Sequence, residues 1–337
     1  MVQASAKMVV TGAAVVMAGI LLGWSADRIA SATGLGEMWT GWVLLAGATS
    51  LPEFVTDTSA VRLHAANLAG GDLFGSSLSN MAILAVIALS FAPDGAQLRV
   101  GRDFAPRLGP HGAPDLFNAG LAIVLTILGT AFTLLHTDHG LRGLRPESLS
   151  LLLIWMAGTR TLYRRQQSRS DPSFSQRNVP QRESAYWPTL IFAGGSAIIF
   201  LVAPAFANSA RELATVTGWG DSLVGTWLLG TSTALPEFVT SMTACRLGAF
   251  DLAVANLYGS CAFNMVVFYV MDLASPLPIF SQLDPILALS GSLAVVLMSL
   301  GVGAVAVRRR PLLAPALRGG VLLASYGVAL LIIYLFR

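Results

Sequence analysis

Two glutamates carry the chemistry of this chain. Glu53 and Glu237 each stand mid-way along an apolar stretch, directly after a proline, in LPEF at 51–54 and again at 235–238. An ionisable group at the centre of a bilayer costs ~2.5–3.5 kcal/mol on insertion scales. No Lys or Arg lies near the centre of any apolar stretch to offset that cost. Such acids either stay protonated and bonded to backbone or share a bound cation. Helical spacing gathers further oxygens. Thr49 precedes Glu53 by one turn and Thr233 precedes Glu237 by one turn, and residues i and i+4 share a helix face. On the stretches that follow, Ser76 and Asn80 repeat this spacing, as do Ser260 and Asn264. Pro52 and Pro236 free the carbonyls four residues back, on Ala48 and Ser232, and Gly47 and Gly230 allow further unwinding. Unpaired carbonyls at this depth are tolerated where they line a cavity. An all-oxygen set of this kind suits Ca²⁺, Na⁺ or Mg²⁺. A membrane Ser or Thr commonly bonds its own backbone, but the same arrangement in two places favours a shared site.

The elements that must position these residues are membrane helices. Of 337 residues, 54% are hydrophobic and only 12% charged, against about 25% charged in soluble domains. Mean hydropathy is +0.67. The chain therefore reads as an integral membrane protein in contact with a lipid bilayer. A net charge of +3 gives no reason to expect nucleic acid. Cys245 and Cys261 lie in apolar stretches, so neither a disulfide framework nor metal-ligand spacing is implied. The first 24 residues lack a basic n-region and a cleavage site and read as a retained span.

Ten apolar segments are long enough to cross ~30 Å of hydrocarbon. They fall at about 8–30, 40–64, 67–91, 116–137, 147–163, 187–209, 219–246, 252–273, 283–307 and 314–336. The first is expected to break at Asp27-Arg28, and the fifth is short. The polar stretch 163–186, rich in Arg, Ser and Gln with two prolines, reads as a flexible linker between halves 1–162 and 187–337. With this linker in the cytoplasm, 15 basic residues fall on its side of the membrane and 6 on the other. The positive-inside rule then puts both termini outside, in a cell's inner or plasma membrane.

Residues 41–81 align without a gap on 225–265 at an offset of 184, with 21 identities in 41 positions. The matches include Thr49/Thr233, Glu53/Glu237, Ser76/Ser260 and Asn80/Asn264. Five crossings separate the copies, so they face opposite ways. Inverted repeats with broken helices near the midplane mark secondary transporters. The expected fold is all-α: ten transmembrane helices in two inverted five-helix repeats.

GATSLPEF (47–54) and STALPEF (232–238), with GSSLSN (75–80) and GSCAFN (259–264), resemble the two alpha-repeats of the cation/Ca²⁺ exchanger superfamily. The first motif covers 41–91 and the second 225–273. The resemblance implies ion coordination by Glu53, Asn80, Glu237 and Asn264. It adds Thr49, Ser50, Ser76, Thr233 and Ser260, with the backbone oxygens of Ala46 and Gly230. This chain departs from the family pattern at four places. Asn264 stands where many sodium/calcium members have aspartate, Ala234 where the motif has serine, Ala48 and Ser232 where it has glycine, and Asp72 where it has asparagine.

The function expected is antiport of Ca²⁺ against Na⁺ by alternating access. The alternative is Ca²⁺/H⁺ exchange in the same fold, with protons on both glutamates replacing Na⁺. Two central carboxylates balance one Ca²⁺ or two Na⁺, which favours electroneutral exchange. No cofactor is expected, the only partners being the metal cations and the lipid, and the sequence fixes no oligomeric state. An enzyme is disfavoured. There is no H-E-x-x-H, no mid-membrane Ser–His or Ser–Lys pair, and His64, His111, His136 and His139 fall in loops or at span ends. Asp57 lies one turn beyond Glu53 and Asp72 one turn before Ser76. They are expected either to bond local backbone or to form an acidic outer funnel that concentrates cations or adds a ligand to an outermost ion site.

Overall fold

The computed structural model describes residues 2–33, 39–62, 64–90, 116–136, 145–169, 184–216, 224–306 and 315–336, and every regular element within them is a helix. α1 (Val2–Thr33) leads to a π-helical turn over Thr40–Leu45, then α2 (Ala46–Thr49), α3 (Leu51–Arg62), α4 (Ala66–Ser90), α5 (Leu116–Leu135) and α6 (Pro146–Arg169). α7 (Tyr186–Val216) leads to a second π-helical turn over Val224–Leu229. It is followed by α8 (Gly230–Thr233), α9 (Leu235–Arg246), α10 (Phe250–Ala274), the one-turn α11 (Ile279–Gln282), α12 (Ile286–Ala306) and α13 (Pro315–Phe336).

Six of these helices are long and apolar enough to cross a membrane: Val9–Thr33, Ala66–Ser90, Leu116–Leu135, Phe250–Ala274, Ile286–Val305 and Gly319–Phe336. The repeated stretches fall short of that length because each is broken, at Ser50 (φ −87°, ψ 11°) and at Ala234 (φ −75°, ψ 2°). The break has a local cause. Pro52 and Pro236 have no N–H for the carbonyl four residues back. Each instead opens a new helix, where its missing donor is harmless.

The two copies of the repeat fold alike: π-turn, one helical turn, break, a helix of 12 residues, then one of 25. α4 and α10 are the most buried of the long helices and form the centre of the bundle. They meet the opposite copy through glycine. Gly75 lies against Thr226 and Gly230, and Gly259 against Trp42 and Ala46, the same pairs displaced by 184. Small residues let membrane helices approach backbone to backbone. Here they bring the residues after each break close to the serine and asparagine of the partner helix.

Two boundary expectations change. α1 runs unbroken through Asp27 and Arg28, whose guanidinium lies 5.5 Å from the centre of the Trp24 ring. Long basic side chains can cover apolar surface without interrupting a helix. α6 continues to Arg169, so the start of the expected linker is helical, and Arg165 covers the Phe117 ring at 4.4 Å. The core of that linker, 170–183, and the arginine-bearing stretches 91–115 and 307–314 lie outside the described residues.

Arg145 is also not the exposed charge that the count of basic residues treats it as. It is buried, with Nη1 donating to Asp272 Oδ1 at 2.6 Å and to the carbonyls of Asp272 and Leu277 at 2.9 Å each. The same Oδ1 accepts the Ile279 N–H at 2.7 Å. The pair ties the start of α6 to the turn between α10 and α11. Removing one partner from a buried ion pair costs about 3–5 kcal/mol, because the other charge is stranded. Arg145→Met is therefore expected to lower the thermal midpoint of the protein in detergent, and adding Asp272→Asn should recover part of the loss. An unchanged midpoint in the single variant would count against this role.

Candidate cation site

The breaks at Ser50 and Ala234 deliver both glutamates to the middle of the bundle. Glu237 Oε1 accepts hydrogen bonds from Ser50 Oγ at 3.1 Å and Ser260 Oγ at 3.0 Å, and the two hydroxyls are 2.9 Å apart. Asn80 Nδ2 donates to Ser260 Oγ at 3.2 Å. One network thus joins Ser50 and Asn80 of the first half to Glu237 and Ser260 of the second. Glu53 Oε1 takes a single bond, from Ser76 Oγ at 2.9 Å. The asymmetry follows from the sequence, since the counterpart of Ser50 is Ala234, which has no hydroxyl to offer. The two glutamates are close enough for the charge of Glu237 to act on Glu53.

Asn264 is held by its amide, which donates to the Leu73 carbonyl at 3.3 Å and to Ser77 Oγ at 3.5 Å. Glu53, Asn80, Glu237 and Asn264 are all fully buried. On each, one oxygen has no hydrogen-bond partner: Glu53 Oε2, Asn80 Oδ1, Glu237 Oε2 and Asn264 Oδ1. The large majority of buried side-chain polar atoms are satisfied, so four such oxygens on these four residues call for a partner. A hard cation is the partner that fits, since carboxylate and carboxamide oxygens are its ordinary ligands. Among the described residues no group of three or more His, Cys, Asp or Glu forms a metal cluster. A cation here would depend on the mixed set of carboxylates, carboxamides and hydroxyls.

The remaining candidates fall into two groups. Thr49 Oγ1 bonds back to the Leu45 carbonyl at 3.0 Å and lies 3.4 Å from Asn256 Oδ1. Thr233 Oγ1 bonds back to the Leu229 carbonyl at 3.0 Å and reaches Asp72 Oδ1 at 2.9 Å. The carbonyls of Ala46 and Gly230 accept the N–H groups of Ser50 and Ala234 at 2.9 Å and 3.4 Å, and that of Ala46 also accepts from Thr49 Oγ1 at 3.3 Å. Asp57 and Asp72 do not line an open mouth; both are fully buried. A stripe on a helix fixes which side residues face but not what packs over it, and here the second half of the chain does. Sequence reasoning did not pair Thr233 with Asp72 or Thr49 with Asn256. The repeat offset held that signal, because the two contacts are the same one in each copy.

The model of the sodium/calcium exchanger protein family matches residues 6–163 and 187–335. The chain belongs to that family. This exchanger-family protein is accordingly a multi-pass integral membrane antiporter and not an enzyme. Its relatives include CaxA of Alkalimonas amylolytica, 26% identical over 301 residues that cover 84% of this chain and 88% of CaxA. Inner membrane protein YrbG of Escherichia coli (strain K12) is 23% identical over 270 residues, covering 77% and 78%. Among solved structures, the sodium-calcium exchanger NCX_Mj soaked with 2.5 mM Na⁺ and 0.1 mM Ca²⁺ superposes with a TM-score of 0.68 at 18% identity, covering 98% of each chain. At that identity the likeness speaks for the exchanger fold.

Proposed function

We propose that this protein exchanges Ca²⁺ for Na⁺ by alternating access at one central site to which both halves contribute. Glu53, Glu237, Asn80 and Asn264 are its principal ligands. Ser50, Ser76, Ser260, Thr49 and Thr233 supply hydroxyl oxygens, and Ala46 and Gly230 supply carbonyls. The observation that carries this reading is the set of four buried, unpartnered oxygens, one on each principal ligand. Soaks of NCX_Mj with Na⁺ and Ca²⁺ support the choice of ions. Two carboxylates balance one Ca²⁺ or two Na⁺, so exchange at this site is electroneutral. The chain crosses the membrane ten times as two inverted five-helix halves, 1–162 and 187–337, with 163–186 in the cytoplasm and both termini outside. Support for this comes from the like folding of the two repeats, five apolar segments apart. A cell's inner or plasma membrane is its location, a reading supported by the name of its relative YrbG, an inner membrane protein.

The test is ⁴⁵Ca²⁺ uptake into proteoliposomes under an outward Na⁺ gradient, an equivalent pH gradient, and each again at a clamped membrane potential. Uptake is expected with the Na⁺ gradient alone, at a rate indifferent to potential. Uptake driven by the pH gradient without Na⁺ would make H⁺ the counter-ion. No uptake under either gradient would refute Ca²⁺ exchange.

A further inference from the structure

Within the repeat, the two halves part company one turn away from the central site. The first half has Asp57 and Asp72 where the second has Ser241 and Asn256. The second-half pair is closed on itself. Asn256 Nδ2 donates to Ser241 Oγ at 2.9 Å and to Thr240 Oγ1 at 3.2 Å, while its Oδ1 faces Thr49 Oγ1 at 3.4 Å. Every polar group of that cluster has a partner. The first half keeps the cross-half contact, with Thr233 Oγ1 on Asp72 Oδ1 at 2.9 Å. There the likeness ends. The counterparts of Asp57 and Asp72, Ser241 and Asn256, touch at 2.9 Å, and the like folding of the repeat sets Asp57 on α3 beside Asp72 on α4. Two carboxylates offer each other no donor. Asp57 Oδ1 and Oδ2 and Asp72 Oδ2 have no partner, and neither has the hydroxyl of Thr56, the counterpart of Thr240. Both aspartates are fully buried. Glu53, one turn before Asp57 on α3, is acidic too.

We propose that Asp57 and Asp72 form a second cation site, adjoining the central one and present in the first half alone, which takes a hard, oxygen-seeking cation. Two buried carboxylates this close repel strongly, and a cation between them turns that repulsion into attraction. The ligand set is again all oxygen, which selects Ca²⁺ or Na⁺ over softer metals. Its charge of −2 is matched by one Ca²⁺. Thr233 touches both sites: it bonds Asp72 and supplies a hydroxyl to the central site. Occupancy of one site is therefore felt at the other. That linkage rests on the central site proposed above, whereas the aspartate pair stands on its own geometry.

The experiment counts bound ions on the purified full-length protein, by equilibrium binding of ⁴⁵Ca²⁺ and, separately, ²²Na⁺ at saturation. The double variant Asp57→Ser, Asp72→Asn copies the neutral pair of the chain's own second half, so a hydrogen-bonded network remains possible. It is expected to bind one cation fewer per chain than the unmodified protein, in whichever of the two ions the site takes. Its cation-free thermal midpoint should rise, because the repulsion is gone, and the further rise on adding that cation should shrink. The double variant Glu53→Gln, Glu237→Gln should keep the cation that the aspartate pair holds. If the first variant does not fold, Asp57→Asn alone carries the same count. A full complement of Ca²⁺ and Na⁺ on the aspartate variant, as expected of two carboxyls sharing a proton, overturns the proposal. A full complement on the glutamine variant overturns the central site instead and leaves the aspartate site standing.

Discussion

Glu237→Gln, and separately Glu53→Gln, is expected to stop Ca²⁺ transport while the protein stays folded. Glutamine keeps the volume of the side chain and an oxygen with which to accept from Ser260 and Ser50, or from Ser76. What it removes is the charge opposite the ion. At 4 Å and an effective dielectric of 20, one pair of unit charges is worth about 4 kcal/mol, or roughly a thousandfold in affinity. A divalent ion loses more than a monovalent one, so Ca²⁺ flux should fall further than Na⁺ flux. The measurement is initial ⁴⁵Ca²⁺ uptake in proteoliposomes, with monodispersity and thermal midpoint in detergent as the folding control. Near-normal uptake by either variant would remove that glutamate from the site. Glu237 should be the more tolerant structurally, because it has two hydroxyl donors to Glu53's one.

Gly75→Ala should be the most damaging glycine-to-alanine change among the described residues. A Cβ built on Gly75 would stand 2.0 Å from the Thr226 carbonyl oxygen and 2.6 Å from its carbon. The obstacle is backbone, so no rotamer change relieves it. The partner surface is equally tight, since a Cβ on Gly230 would meet the backbone of Gly75 and Ser76 at 2.6 Å. Overpacking commonly costs ~1–3 kcal/mol, and a backbone-to-backbone clash belongs at or above the top of that range. Separation at this point would also move Ser76 and Asn80 away from their partners. Gly327→Ala is the control: nothing lies within 4 Å of its Cβ position, and alanine is the better helix former. The expected result is a lowered thermal midpoint and lost transport for Gly75→Ala, with neither for Gly327→Ala. Equal midpoints for the two would show that the crossing can open without penalty.

The site was legible in the sequence to the extent that it depends on spacing along one helix. Ser76 and Asn80 lie one turn apart on the unbroken α4, as i, i+4 spacing requires, whereas the break at Ser50 separates Thr49 from Glu53. The two prolines announced the breaks, and the offset of 184 gave the second copy of everything. What spacing cannot give is the partner on another helix. Ser50 bonds Glu237, the glutamate of the opposite copy, because a glycine crossing brings the first break against α10; no pattern within 47–54 encodes that. The π-helical turns were equally hidden, since hydrogen-bond register leaves no mark on composition. For Asp57 and Asp72 helical spacing leaves local backbone bonding, an outer funnel and an added ion ligand all open, and only the packing of the second half shows that both are buried. Arg145 was counted as a loop charge because its partner, Asp272, lies 127 positions away.

The crossings have a consequence for what one half could do alone. Ser50 serves Glu237, Asn80 serves Ser260, and Thr233 serves Asp72, so neither half holds a finished set of ligands. The glycine notches of one half are likewise filled by the backbone of the other. A lone half would have had nothing to carry ions with. The ligand set is therefore complete only where the two halves are packed against each other. The two copies now differ around this shared site: the first has serine at position 50 and the acidic pair Asp57 and Asp72, and the second has alanine, serine and asparagine at the matching places.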